Sequence, residues 1–148
     1  MSEQATQPTP EVRLVSKWKP GERNLNEILT DLRKPISAEH LKQKQAGKTS
    51  VTYLPWYNAI KYLDHFAPGW TYEIREISHY PTGTEGGKIA LKVRITIPTA
   101  EGEFFREAVG NESDDKEGYG DPFSNSESQA LRRAAAKFGL GLYLYDKR

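Results

Sequence analysis

The segment KIALKVRITI (88–97) constrains this chain more than any other stretch. Ile89, Leu91, Val93, Ile95 and Ile97 alternate with Lys88, Ala90, Lys92, Arg94 and Thr96. A period of two puts the apolar set on one face of a strand and the polar set on the other, so the strand wants one buried face and one wet face. The turn PTAEG (98–102) leads back into EFFREAVG (103–110). Residues 70–80 read as a strand on the other side, joined through PTGTEGG (81–87). The pattern predicts an antiparallel meander of three strands.

The second strong period is helical and lies at the end of the chain. At 100° per residue, Ala130, Leu131, Ala134, Ala135 and Phe138 span one side of a helix. Arg132, Arg133 and Lys137 lie on the other side, with Ala136 among them. Ser124 with Glu127, or Ser126 with Gln129, fits a capping box, and Gly139 fits the C-terminal stop. Before the strands, YLPWYNAIKYLDHFAPGW (53–70) predicts a helix with Pro55 in its first turn. Trp56, Ile60, Leu63 and Phe66 form its apolar face, and Pro68 and Gly69 end it. Leu25, Ile28, Leu29 and Leu32 predict a short helix over 25–34, ending before Pro35. Ser37 suits the cap of another short helix, with Leu41 on its inner face. QKQAGKTS (43–50) reads as a polar loop, and NESDDKEGYGDPFSNS (111–126) as an acidic one. Residues 1–24 read as a flexible N-terminal arm with Trp18 and Pro20 as anchors, and 25–148 as one domain. The expected class is α+β, with short helices before the meander and a long helix after it.

The 148 residues suffice for one buried core. The absence of cysteine excludes disulfides and thiolate metal sites. Apolar runs fall far short of a membrane span, so no membrane association is expected. The start of the chain lacks the pattern of a signal peptide, so a cytoplasmic, nucleoid-associated location is expected. The chain stops directly after YLYDKR, which leaves a longer natural protein open.

The net charge of +1 conceals an uneven distribution. Residues 40–98 hold eight Lys/Arg against four Asp/Glu, 111–129 hold one against six, and 130–148 hold five against one. Two basic blocks flanking an acidic one suit a positive groove beside an acidic surface, or simply a mixed solvated surface. Arg132, Arg133 and Lys137 around a small residue suit a phosphate chain, and equally a solvated helix face. Lys92 and Arg94 either extend the basic surface or are solvated strand positions. Trp56 and Tyr57 are candidate base-stacking residues, although Trp56 sits in the apolar periodicity of a core face. His40, His65 and His79 lack ligand spacing. Asp114, Asp115 and Glu117 lack the spacing of a calcium loop, so a solvated turn is expected and no metal site. No nucleophile–base pair or phosphate-binding glycine loop is visible, so neither an enzyme nor a cofactor is expected.

Three segments carry a family resemblance. ALRRAAAKFGLGLYLYDKR (130–148) resembles the signature helix of the Rad52 superfamily of single-strand annealing proteins, with its alanine run, basic pair and Phe-Gly. KVRITIPTAEGEFFREAVG (92–110) resembles that family's second and third strands, with a Val-Gly stop. YLPW followed by PGW (53–70) resembles its helix before the first strand. The short length and the Trp-Lys-Pro near the start are most similar to the bacterial and phage branch that includes the DNA-damage-response protein A.

The resemblance implies a three-stranded antiparallel sheet packed on a long helix. It implies a ring-forming homo-oligomer with sheets joined edge to edge, and single-stranded DNA held in a groove and annealed without ATP or metal. Other recombination or single-strand-binding proteins become candidate partners. By the same resemblance Arg132 and Arg133 match the family's basic pair. A third family arginine falls at Ala136, with Lys137 as its stand-in. Tyr53 matches a groove tyrosine. Lys42 and Lys44 both qualify for a basic residue of the preceding loop, and Lys88 for a second DNA site on the hairpin's outer face. Two other classes stay open: a DNA-end-protecting or protein-recruiting module of the same fold, and a metal-dependent nuclease using the acidic loop.

Overall fold

The computed structural model describes residues 16–81, 87–113 and 121–146. The turn at 82–86 and the acidic residues Asp114, Asp115 and Glu117 lie outside the described residues. In chain order the elements are α1 (Leu25–Leu32), β1 (Lys42–Ala46), β2 (Thr49–Tyr53), α2 (Trp56–Phe66), β3 (Thr71–Pro81), β4 (Gly87–Thr99), β5 (Gly102–Ser113) and α3 (Pro122–Lys137). Short 3-10 turns occupy Ala38–His40 and Leu142–Tyr145.

The meander forms as its alternation requires. β3, β4 and β5 pair antiparallel in that order. Leu91, Val93, Ile95 and Ile97 are buried, while Lys92, Arg94 and Thr96 face the opposite side, half-buried. Full burial of each such aliphatic side chain contributes about 1.5–3 kcal/mol. α3 covers β4 and β5 through Ala130, Leu131, Ala134, Ala135 and Phe138, all buried. The small residues let helix and sheet approach closely. A Cβ added at Gly110 of β5 would stand 2.2 Å from the Ser126 carbonyl oxygen and 2.7 Å from the Ala130 nitrogen. Gly110 is therefore the crossing point of α3 over β5 and not the end of the strand, which runs on to Ser113.

β3 is left uncovered. Its residues Tyr72, Ile74 and Ile77 stand opposite Ile95, Val93 and Leu91 and so share the core-facing side of the sheet. All three are exposed, Ile77 at 55%, because α3 lies over β4 and β5. The Tyr72 hydroxyl reaches the helix, donating to Glu127 Oε2 at 2.8 Å.

Several local expectations need correction. The segment 43–50 is not a loop: Lys42–Tyr53 is a two-stranded hairpin, turned at Gly47 (φ 67°) and Lys48. Glycine at the first central position suits a two-residue hairpin turn. Pro55 is the N-cap of α2 and stands outside its first turn. Trp56 is not core. It is 44% exposed, and α2 buries Asn58, Ala59 and Leu63 instead. Ser37 makes no capping hydrogen bond. α3 begins at Pro122, and its cap is Asp121, whose carboxylate accepts from the Phe123 and Ser124 amides; neither proposed capping box forms. Gly139 ends the helix as expected, at φ 113°. The amides of Gly139 and Leu140 donate to the carbonyls of Ala136 and Ala135, the paired bonds of a Schellman stop. Ala136 is buried and does not lie among the solvated cations.

Trp18 and Arg23, just before α1, are tied to the core. Arg23 is buried, stacked 3.6 Å from the Trp18 ring centroid, and it donates to the Phe66 carbonyl and to Asp31. The Arg23 carbonyl in turn accepts from the Ala100 amide in the β4–β5 turn.

Candidate nucleic-acid interface

The β1–β2 hairpin, the start of α2 and one side of α3 enclose a cleft. Its floor is an apolar hollow of about 250 Å³ between Val51, Leu54, Ala59, Leu140 and Leu144. Lys44, Tyr53 and Arg132 border both this hollow and a wider, more polar one that continues past Trp56 and Tyr57 to Asn125, Ser128 and Gln129. The Arg132 guanidinium lies 5.2 Å from the centroid of the Tyr53 ring. A ring face attracts a cation without using its N–H donors, which stay available for phosphate oxygens. Trp56 and Tyr57 meet edge to face at 5.7 Å between centroids and present two half-open aromatic surfaces beside these cations. Cations along a groove with aromatics next to them form the arrangement that holds single strands: cations take phosphates and rings take bases. Glu112 is the one carboxylate on the described walls of the cleft.

The other nominated cations stand elsewhere. Arg133 and Lys137 turn toward β5: Arg133 Nη1 donates to the Val109 carbonyl at 2.9 Å and Lys137 Nζ to the Glu107 carbonyl at 2.7 Å. Both border a separate hollow with Ala108, Ala136, Leu142 and Tyr145. Lys92 and Arg94 lie on the outer face of the sheet with Glu76 (3.5 Å) and Glu107 (2.8 Å) as cross-strand partners. The Arg94 hydrogen bond holds the Glu107 carboxyl below its usual range. Arg94 also lies 3.8 Å from the centroid of the exposed Phe105 ring. Lys88 falls in the same alternate set, opposite Ser113 and Tyr80. Lys42 pairs in register with Tyr53 at the base of the hairpin, and Lys44 with Val51 one step up. Of the two lysines, Lys44 is the one that borders the cleft.

The histidines do not converge: His40 Nδ1 lies 2.6 Å from the Tyr62 hydroxyl, His65 packs on Phe66, and His79 is on β3. Among the described residues no group of three His, Asp or Glu is placed to hold a metal ion. Among the same residues no helix is long and apolar enough to cross a membrane.

Residues 24–148 match the family model described as Rad52/22 family double-strand break repair protein. The chain belongs to the Rad52/22 family. It is 36% identical over 125 residues to the "DNA repair RAD52-like protein 1, mitochondrial" of Arabidopsis thaliana, covering 84% of this chain and 69% of that protein. It is 38% identical over 128 residues to the "DNA repair RAD52-like protein 2, chloroplastic" of the same plant, covering 84% of this chain and 62% of that protein. The chain thus spans about two thirds of these relatives. As a member of the Rad52/22 family it is a DNA-repair protein by descent, and its three-stranded sheet packed on a C-terminal helix is the α+β arrangement expected from the sequence.

Sequence reasoning missed Glu112, Asn125, Ser128 and Gln129 as cleft residues. Three of them lie on the first half of α3, and the signal available was their helical spacing with Arg132: Asn125, Ser128 and Arg132 recur at three and four residues.

Proposed function

We propose that this chain binds single-stranded DNA in the cleft of Lys44, Tyr53 and Arg132 and anneals complementary strands without ATP, with little sequence preference. One observation carries the reading: a mobile-length lysine, a ring-supported arginine and two half-open aromatics border one continuous cleft. Phosphates held by cations would keep the strand extended, and pairing is left to the bases. Such a process forms no covalent bond and needs no catalytic group.

The reading includes a homo-oligomer. The edge of β3 and the uncovered apolar strip of Tyr72, Ile74 and Ile77 support it, because such an edge in a small sheet is either protected or paired. A closed ring satisfies every copy equally. A cytoplasmic location and a place in the bacterial and phage branch belong to the same reading, the latter supported by the Trp18-Lys19-Pro20 arm.

The test measures annealing of two labelled complementary oligonucleotides in the presence of EDTA, with light scattering on the same sample. Accelerated annealing by a species much larger than one chain is the expected result. A monomer that leaves the annealing rate unchanged refutes the reading. Tight binding without annealing would assign the fold to protecting DNA ends.

A further inference from the structure

The basic pair of α3 consists of two residues with different surroundings. Arg132 borders the cleft, whereas Arg133 and Lys137 turn toward β5 and border a separate hollow, in a row that starts at Gln129 on the cleft wall. Gln129 Oε1 accepts from the Asn111 amide at 3.0 Å, Arg133 donates to the Val109 carbonyl, and Lys137 donates to the Glu107 carbonyl. These helix positions are spaced by four and the strand positions by two, in opposite directions along the chain. Four helical residues rise about 6 Å and two strand residues about 6.8 Å, so the two rows keep step over three contacts with only small adjustments of long side chains. Among the described residues β5 has a strand neighbour on one side only. Alternate residues of such an edge strand send their N–H and C=O groups away from that neighbour, and these otherwise lack a sheet partner. The row meets that need with a donor or an acceptor as each site requires. The close crossing at Gly110, between Val109 and Asn111, brings the helix near enough for the row to reach. Arg106 adds a bond in the reverse direction, donating to the Lys137 carbonyl at 2.6 Å.

We infer that Gln129, Arg133 and Lys137 cap the β5 edge and fix the register of α3 on the sheet, so that Arg133 and Lys137 are positioning residues for Arg132 and not phosphate ligands themselves. The inference rests on the DNA-binding reading above for its consequence, and on the three bonds alone for its structural content. Arg132 and Arg133 are sequence neighbours, yet the helix turns them about 100° apart. A strand in the cleft therefore meets Arg132, while Arg133 is drawn toward β5 by the bond from its Nη1 to the Val109 carbonyl.

Salt dependence separates the two roles. A lost phosphate contact reduces the dependence of log affinity on log salt by about 0.7 for single strands, whereas a lost positioning contact lowers affinity at every salt concentration alike. Binding of a labelled oligothymidylate across a potassium chloride series is the measurement. R132A is expected to flatten the slope by about 0.7 per subunit. R133A and K137A are expected to weaken binding at the wild-type slope, and R133K, which keeps a donor for the Val109 carbonyl, to restore it. A slope reduced as much by R133A as by R132A overturns the inference while leaving the DNA-binding reading intact. A wild-type protein that does not bind refutes that reading instead. The cap itself is tested without DNA, by hydrogen exchange. Q129A should speed exchange of the Asn111 amide roughly three- to tenfold, the worth of one hydrogen bond, while β4 amides keep their protection. An unchanged Asn111 amide in Q129A overturns the cap.

Discussion

Arg132 lies against Tyr53, its guanidinium 5.2 Å from the ring centroid, and this contact joins the last helix to the β1–β2 hairpin across the cleft. The two residues are far apart in the chain, and the hairpin that carries Tyr53 is exposed along most of its length. The cleft wall is therefore held in part by the same cation that would bind phosphate. Tyr53 contributes through its ring face, for which the hydroxyl is not needed.

A first prediction follows from that division. Tyr53→Phe keeps the ring and should leave single-strand affinity within about twofold. Tyr53→Ala removes a cation–π contact worth about 0.5–2 kcal/mol and should weaken binding roughly three- to thirtyfold. Fluorescence anisotropy with a labelled oligonucleotide reads both. Equal losses in the two variants would show that the hydroxyl, not the ring, matters.

The second prediction concerns the one carboxylate on the described cleft wall. Glu112 places a negative charge where phosphates are expected to run. Glu112→Gln should tighten binding, with the gain largest at low salt, where the Debye length is longest, and nearly gone at 1 M, where it is about 3 Å. Weaker binding by this variant would mean that the strand does not pass Glu112.

The sheet and the last helix were legible in the sequence because burial imprints a period on them. Ile89 to Ile97 alternate because one face of β4 is covered, and Ala130 to Phe138 form a stripe because α3 lies on that face. The hairpin Lys42–Tyr53 was not legible, since neither face of β1 is buried and its residues carry no apolar alternation. Its available signals were the β-branched and aromatic residues of TSVTY and the Gly47-Lys48 turn. Trp56 was misassigned because it lies within about 20° of Leu63 on a helical wheel, yet it is the first residue of α2 and stands at the end of the helix that opens on the cleft. The split between Arg132 and Arg133 was also hidden. A helical wheel puts both on the polar side, and only the position of the β5 edge separates them.

A third prediction addresses the helix–sheet crossing. Gly110→Ala puts a methyl group against backbone atoms of Ser126 and Ala130, which no rotamer change can relieve. Overpacking of this kind costs about 3 kcal/mol or more and should lower Tm by roughly 10 °C in a chain of this size. Single-strand binding should weaken along with stability, because α3 carries Arg132. Thermal denaturation followed by circular dichroism checks it, and an unchanged Tm would mean that the helix does not approach β5 so closely.

The last prediction concerns acid. Asp31 sits at the end of α1 between Arg23 (2.6 Å) and Lys34 (2.9 Å), with Arg23 buried beneath Trp18. Burial pushes the Asp31 carboxyl up, but hydrogen bonds from Lys34 and Arg23, together with their charges, outweigh it and hold the group below its ordinary value. A carboxyl whose folded pKa lies below its unfolded one stabilises the fold fully above the unfolded value of about 3.9, and that stabilisation is lost as pH falls through the folded pKa. Asp31→Asn removes the charge and leaves the buried Arg23 without its counter-ion, which at pH 7 should cost about 2–3 kcal/mol. The gap between wild type and variant should stay constant from pH 7 to about pH 5 and narrow below about pH 4. Urea denaturation at a series of pH values measures it. A gap that widens toward low pH would reverse the sign of the Asp31 shift and remove the Arg23–Asp31 pair as the tie that holds the segment around Trp18 and Arg23 to the core.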